Sequence, residues 1–555
     1  MKTKNLQNYA KLLDLRALLL SGSFTAAFVI WESIFLKVPF ATYFSHALNT
    51  FNVKYFLFLQ SIVIFSVFLL FMYVYASLVS GMVPKIFSWI LFSAIIFFEY
   101  GYFNALGRFS TEIDLEIALF MTNAEQKTGA IASYFSWISV VPCLGFGALI
   151  FSYRSSLNLG KRIIILVPVA ITIVFYYLIG AYFKQHFFAA DFPLVSFANF
   201  FKVGVEIPPN WFFTYNGTRE ELVSQMPATP PKNNVVFITD ESLRADHMSL
   251  YGYSRKTTPY LDALYEAGKL TKFDSCVSGT TCSTASASLL LTGVRMAELP
   301  DTDFKTKRYP TLYQYARAAG YKVHFYDGQM SHFWNSPYRD QKYVDIWKNY
   351  EDFSKLARAD SDIDFEIANE VKRVMKNSTG NFIWIWKRGV HFPYSDDFPE
   401  KSAEWKPLPG SAQLSSLTRD ELVNSYDAAI KYNSDGFFKI ISEILEIAPN
   451  TTVIYTSDHG QNLRDSDQLA THCRESKNEA NVPLFMLGNF ETPLNKSFPA
   501  HHENLFATLL DLMNVPLPAR KYEYADSLLN PQTKAPKHRY YWSLDVTKGK
   551  GLKFD

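Results

Sequence analysis

The chain has 555 residues, 48% of them hydrophobic and 19% charged, with a formal net charge of +2. That length predicts at least two domains, and the near-neutral balance excludes any argument for nucleic acid as a partner. The apolar content is ordinary in amount but not in distribution: long apolar stretches crowd residues 1–184, and the remainder reads like a soluble enzyme.

Five stretches approach the roughly 20 apolar residues that a membrane-spanning helix needs. They are 15–38, 52–80, 85–107, 130–153 and 162–184. Buried helices of a soluble core are the alternative, but such cores rarely repeat near-continuous apolar runs of this length. The first stretch is too long, and too soon followed by others, to be a cleaved signal peptide. Lys2, Lys4, Lys11, Arg16, Lys85, Arg154, Lys161 and Arg162 would share one side, against Lys37, Lys54, Arg108 and Lys127 on the other. That bias predicts a cytoplasmic N-terminus. An odd number of spans then puts everything after 184 outside, which in a Gram-negative cell is the periplasm.

Between the third and fourth stretches, Ile113, Ile117, Phe120 and Met121 recur at helical spacing. They predict an amphipathic helix near 110–126 on the outer membrane surface. Residues 185–232 are rich in aromatics and proline, which suits a linker at the headgroup level; a segment packed between domains fits equally well. From 233 to 555 strand-like and helix-like segments alternate. Strands are expected at 234–239, 321–326, 380–386, 452–457 and 483–487, and helices at 257–268, 310–319, 362–376, 419–447 and 502–513. This alternation predicts an α/β domain with a mostly parallel sheet. The basic tail after about 535 is expected to be loose.

Chemistry concentrates at the ends of two apolar runs. Val235–Ile238 leads into Thr-Asp-Glu-Ser, and Val453–Tyr455 leads into Thr-Ser-Asp-His-Gly. Open α/β sheets bind ligands at the carboxyl ends of their strands. Glu241, Asp458 and His459 are therefore expected at one edge of one sheet, and two carboxylates with an imidazole suit a catalytic Zn2+. Residues 278–293 form a hydroxyl-rich turn running into an apolar helix, a platform for a nucleophile near amides that can hold phosphate oxygens. A Ser/Thr helix cap is the plainer reading of that turn. His391 and His472 follow strand ends on the same edge. Arg244, Asp246 and His247 read mainly as packing and capping groups, with orientation of Glu241 as a lesser option. Of the four cysteines, Cys143 falls in a predicted span, where it would be buried and inert. Cys276 and Cys282 flank a short loop that an oxidising compartment would let close as a disulfide. Cys473 has no evident partner, and zinc ligation is a lesser option for it.

These residues carry a family likeness. Residues 235–252 resemble the first metal segment of the phosphoethanolamine transferases, membrane enzymes with an alkaline-phosphatase/sulfatase-like catalytic domain. Ser457-Asp458-His459-Gly460 is similar to their second metal segment, and five spans before a periplasmic domain match as well. The resemblance implies that Glu241, Asp458 and His459, with the nucleophile oxygen, bind one or two Zn2+. It implies transfer of phosphoethanolamine from phosphatidylethanolamine to a lipopolysaccharide or other envelope glycan acceptor, releasing diacylglycerol. His391 and His472 would hold phosphate oxygens or a second Zn2+, and Thr122 and Glu125 on the surface helix would meet the lipid headgroup. It places the protein in the bacterial inner membrane.

The nucleophile segment departs from the family pattern Cys-Gly-Thr-x-Thr-Ala. Ser283 keeps the downstream spacing, with Ser286 three residues on. Thr284 keeps the Thr-Ala dipeptide and the usual side chain but breaks the spacing; Thr280 and Thr281 fit less well. Ala285 and Ala287 stand where sulfatases place Pro and Arg, which argues against formylglycine maturation. Two other functions stay open at this stage: a glycerophosphotransferase or sulfatase-like hydrolase, and a non-catalytic lipid sensor, which should have lost the metal ligands that this chain retains.

Overall fold

The structure is a computed structural model and describes residues 15–35, 82–106, 110, 137–152, 218–222, 231–329, 338–410, 417–465, 470–488, 490, 494–530, 534–543, 546–547 and 549–555. These fall into two compact units, one before residue 153 and one from residue 218 on.

In the first unit, helices α1 (Leu15–Phe35), α2 (Met82–Leu106) and α3 (Val140–Ser152) occupy the first, third and fourth predicted stretches. Their shared core is aromatic: Phe24, Phe28, Phe92 and Phe146 are buried together, with Phe92 and Phe146 stacked at 4.1 Å. Among the described residues one helix, Met82–Asn104, is long and apolar enough to cross a membrane; shorter apolar helices cover Leu19–Phe28 and Trp137–Ser152. Large side chains such as Val83, Phe87 and Leu144 stay exposed on these helices. The stretches 52–80 and 162–184, most of the surface helix with Thr122 and Glu125, and most of the linker lie outside the described residues.

The second unit is an α/β/α sandwich. Its first eleven strands are β1 (Asn234–Asp240), β2 (Leu270–Lys272), β3 (Cys276–Val277), β4 (Lys322–Asp327), β5 (Ile346–Lys348), β6 (Asn381–Trp386), β7 (Thr451–Ser457), β8 (Asn462–Leu463), β9 (Ala470–Thr471), β10 (Asn481–Val482) and β11 (Leu484–Leu487), and the central sheet takes seven of them in the order β2-β11-β7-β1-β6-β4-β5. Strands β7, β1, β6, β4 and β5 run parallel, while β11 lies antiparallel to both β7 and β2. The sheet is thus mixed at one edge, where the sequence predicts mostly parallel pairing. Strands β1, β6 and β7 are buried along their whole length. That explains their near-continuous apolar runs, since helices cover both faces. Side chains alternate between the faces. Val235, Phe237 and Ile454 join one core with the helices Ser283–Thr292, Leu312–Ala318 and Glu503–Leu512. On the other face Tyr455 and Phe485 stack at 4.4 Å and meet Phe438 of the helix Gly436–Ile447.

All five predicted strands and all five helical segments form, with two refinements. The segment 419–447 is helical throughout, but a π-helical turn, Ile430–Asp435, interrupts it. That turn aims Ser434 at Asp240 and lets Asp435 accept the N–H groups of Tyr260 and Leu261, closing the start of the helix Pro259–Glu266. The C-terminal tail is not loose. Tyr540–Ser543 and Lys550–Lys553 pair as a hairpin. Trp542 exchanges main-chain bonds with Gly279 and Thr281, at the start of the hydroxyl-rich turn. Its basic composition misled the expectation: Arg539 is buried by an ion pair with Asp555.

Candidate metal centre and nucleophile

Adjacent parallel strands β1 and β7 pair Asp240 with Ser457, so their next residues emerge side by side. Glu241, Asp458 and His459 follow and are fully buried. Each offers a ligand atom, all within 4.8 Å of one another. The turn after β1 needs Ser242 at φ 58°, a strained left-handed conformation for serine. The hydroxyl of Tyr426 clamps it, donating to the Ser242 carbonyl at 2.6 Å and accepting the Arg244 N–H at 2.9 Å.

Ser283 opens the third arm. Its preceding residue, Cys282, caps the helix Ser283–Thr292 in extended conformation, and Gly293 ends the helix at φ 67°. Ser286 donates to the Asp458 carbonyl at 2.8 Å, tying the helix to the end of β7. Ser283 Oγ consequently lies 2.9 Å from His459 Nε2 and 3.3 Å from Glu241 Oε1. The structure thus brings Glu241, Ser283, Asp458 and His459 together. Thr284 lies one residue further along the helix, and its carbonyl accepts from Ser288.

These residues fit a divalent cation. Asp458 Oδ1 accepts the N–H groups of Ser242 and His459, but Oδ2 is buried with no hydrogen-bond partner, 3.4 Å from His459 Nε2. Leaving such an oxygen unpaired costs about 1–3 kcal/mol, which a cation would relieve. His459 Nδ1 lies 2.7 Å from the Gly460 carbonyl, so Nδ1 carries the proton and the Nε2 lone pair faces the acids. Oxygen and imidazole donors in this number match zinc.

The electrostatics point the same way. Burial raises the Glu241 carboxyl, but the imidazoles of His459, His391 and His472 outweigh it and bring the group down to about 2. Burial and the Glu241 charge together push Asp458 well above the carboxylate range. The pair therefore keeps one proton until a cation displaces it. Burial also lowers His459, holding it neutral as a ligand must be.

The two flanking histidines sit differently. His472 is half-buried, its ring 4.5 Å from that of His459 and its Nδ1 3.0 Å from Gln461 Oε1. His391 is exposed, on a loop pressed against β1. A Cβ on Gly389 (φ 64°) would fall 2.1 Å from Asp240 Oδ1, so only glycine lets this loop lie so close.

The disulfide expectation is corrected. Cys282 pairs with Cys473, while Cys276 is buried and free in the short strand Cys276–Val277. Cys473 is therefore no zinc ligand. The bond joins the residue before Ser283 to the residue after His472. The Cys473 N–H donates to the Thr281 carbonyl alongside it. Sequence spacing favoured the nearer cysteine because a separation of 191 positions hides the contact. Arg244 and His247 do act as packing groups, paired with Asp246, Asp465 and Asp427. Sequence reasoning also missed Gln329, whose amide donates to Glu241 Oε2 at 2.9 Å. Its place two residues past the end of β4 was the signal available.

The sulfatase family profile matches residues 233–515. Among curated proteins, the chain is 28% identical over 314 residues to phosphoethanolamine transferase EptA of Helicobacter pylori, covering 53% of this chain and 57% of that protein. It is 26% identical over 326 residues to Kdo(2)-lipid A phosphoethanolamine 7''-transferase of Escherichia coli, covering 56% and 53%. The matched part thus spans about half the length of these relatives. Among solved structures, the integral membrane lipooligosaccharide phosphoethanolamine transferase A of Neisseria meningitidis superposes with a TM-score of 0.65 at 19% identity, over 89% of this chain and 95% of that one. The periplasmic domain of Escherichia coli EptC, in complex with Zn, gives 0.52 at 20% identity, over 61% and 97%. At such identities these likenesses establish the fold.

Proposed function

The chain belongs to the sulfatase family, and we propose that within it this protein is a membrane-anchored, zinc-dependent phosphoethanolamine transferase. The donor is phosphatidylethanolamine, and the acceptor is a lipid A, core or other envelope glycan group. The observation that carries this reading is Ser283 Oγ at hydrogen-bond distance from His459 Nε2, beside Glu241 and Asp458. The reaction class is supported by the curated relatives, which are named for phosphoethanolamine transfer. We assign residues 1–184 to a five-helix membrane domain, 185–232 to an interfacial linker and 233–555 to a periplasmic catalytic domain. Thr122 and Glu125 contact the donor headgroup in this reading.

Glu241, Asp458 and His459 would hold Zn2+, with Ser283 Oγ as a further ligand. When bound, the ion would lower the pKa of the Ser283 hydroxyl and draw charge from the phosphate oxygens. Without the ion, the Ser283 hydroxyl donates to the His459 Nε2 lone pair at 2.9 Å, with Glu241 Oε1 3.3 Å away. Ser283 Oγ then attacks phosphorus as its hydroxyl proton passes to the imidazoles of His391 and His472, the bond from phosphorus to the glycerol oxygen breaks, and the imidazoles return a proton to that oxygen as diacylglycerol leaves. His391 and His472 are the groups we assign to phosphate binding and to supplying that proton. An acceptor oxygen next attacks the Ser283 phosphodiester, the Oγ–phosphorus bond breaks and serine is restored.

The test compares headgroup-labelled phosphatidylethanolamine with phosphatidylglycerol as donor for the full-length protein. Mass spectrometry of envelope glycolipids from cells with and without it identifies the product. Label transfer from phosphatidylethanolamine alone is expected. Transfer from phosphatidylglycerol would make it a glycerophosphotransferase, release to water a hydrolase, and no turnover of either lipid a sensor.

A further inference from the structure

Directly behind the metal centre lies a charge cluster that no step of the proposed reaction uses. Lys387, the first residue after β6, is fully buried. Its ammonium sits 2.7 Å from Asp240 Oδ2, 3.6 Å from Asp364 Oδ2 and 4.8 Å from the centre of the Phe437 ring. Burying three charged groups is costly and adds little stability over apolar packing, so such a cluster calls for another purpose.

Its connections converge on one residue. Asp240, the last residue of β1, directs Oδ2 to Lys387, to Ser434 Oγ and to the Tyr455 hydroxyl. Its Oδ1 accepts the Glu241 main-chain N–H at 3.0 Å. A second route leaves from the Lys387 carbonyl, which accepts from Gln329 Nε2 at 2.8 Å. The same amide donates to Glu241 Oε2 at 2.9 Å. The Lys387 ammonium thus holds the Asp240 carboxylate that caps the Glu241 backbone, and the Lys387 main-chain carbonyl holds the amide that meets the outer oxygen of the Glu241 carboxylate. The inner oxygen, Oε1, is left facing Ser283 and His459.

We propose that Asp240 and Gln329, anchored on the ammonium and the main-chain carbonyl of Lys387, are the positioning residues for the metal ligand Glu241, Asp240 acting on its backbone and Gln329 on its carboxylate. The inference rests on the reading that Glu241 binds zinc. Outer groups that orient a ligand typically contribute about 10–100-fold to metal affinity.

The experiment measures zinc affinity of the full-length protein by competition with a chromogenic chelator, alongside melting of the metal-free form. Gln329→Leu removes the amide donor while leaving Lys387, Asp240 and Asp364 in place, and should weaken zinc about 10–100-fold. Asp240→Asn keeps an acceptor for the Glu241 N–H and leaves Asp364 as counter-ion to Lys387; it should weaken zinc about tenfold. Asp427→Asn, in the buried pair with His247, has no such link to Glu241 and should lower melting while leaving zinc affinity within about twofold. A wild type that binds zinc, with Gln329→Leu and Asp240→Asn binding equally well, overturns the inference alone. A wild type that binds no zinc overturns the metal reading and the inference with it.

Discussion

The two sides of the site are built by different means. On the metal side, Glu241, Asp458 and His459 project from the ends of strands buried along their whole length, and Ser283 from a helix bonded to one of them. On the open side, His391 and His472 stand on loops, one exposed and one half-buried. What fixes the loops is local: a glycine pressed against β1, and a disulfide to Cys282. In the proposed reading, the sheet sets the geometry of the metal ligands, and loop contacts set the histidines assigned to phosphate. Substitutions on the two sides should therefore separate zinc binding from transfer.

The sharpest separation is expected at Ser283. Ser283→Ala should lower phosphoethanolamine transfer about 10,000-fold or more while retaining zinc, whereas Thr284→Ala should stay within a few-fold of wild type. Full activity in the serine variant, with loss in the threonine variant, would move the nucleophile one residue along. Next come Glu241→Ala and Asp458→Ala, each expected to weaken zinc by more than about 100-fold in equilibrium dialysis. Unchanged zinc content in both would dissolve the metal side. His391→Ala and His472→Ala should cut turnover about 100-fold with zinc affinity nearly unmoved. Parallel loss of zinc would mean that the two sides are not separable.

Smaller effects sharpen the contrast further. Replacing Cys282 and Cys473 together by serine frees the His472 loop from the nucleophile helix and should reduce transfer roughly tenfold, again without zinc loss. Zinc affinity itself should rise with pH. Asp458 holds its proton in the metal-free protein because burial and Glu241 raise it, and binding must expel that proton. Affinity should gain about tenfold per pH unit above the ordinary carboxylate range, and calorimetry in buffers of different ionisation heat should count about one proton released. The sign for stability is opposite. A raised carboxyl favours the folded metal-free state at low pH, so its melting temperature should fall as pH rises, while the zinc-loaded form should not follow.

Much of this was legible because the signals are local. Val235–Ile238 and Val453–Tyr455 announced buried strands, and strand-end chemistry follows from α/β topology alone. Ser283 could be placed by register with Ser286, which does bond to the Asp458 carbonyl. What escaped depends on contacts between distant segments. Cys473 gave no sign of lying against Cys282, and Lys387 reads as an ordinary surface charge until Asp240 and Asp364 are found around it. The C-terminal hairpin was hidden for the same reason: Arg539 looked solvated, and its partner is sixteen residues away at Asp555.

The claim on which the rest depends is that Ser283 carries the transferred group. The most direct measurement is to quench the full-length protein with labelled phosphatidylethanolamine in the absence of acceptor and to map the modified peptide by mass spectrometry. Phosphoethanolamine on Ser283 is the predicted result. Label on Thr284, or turnover of the lipid with no covalent adduct, would contradict it.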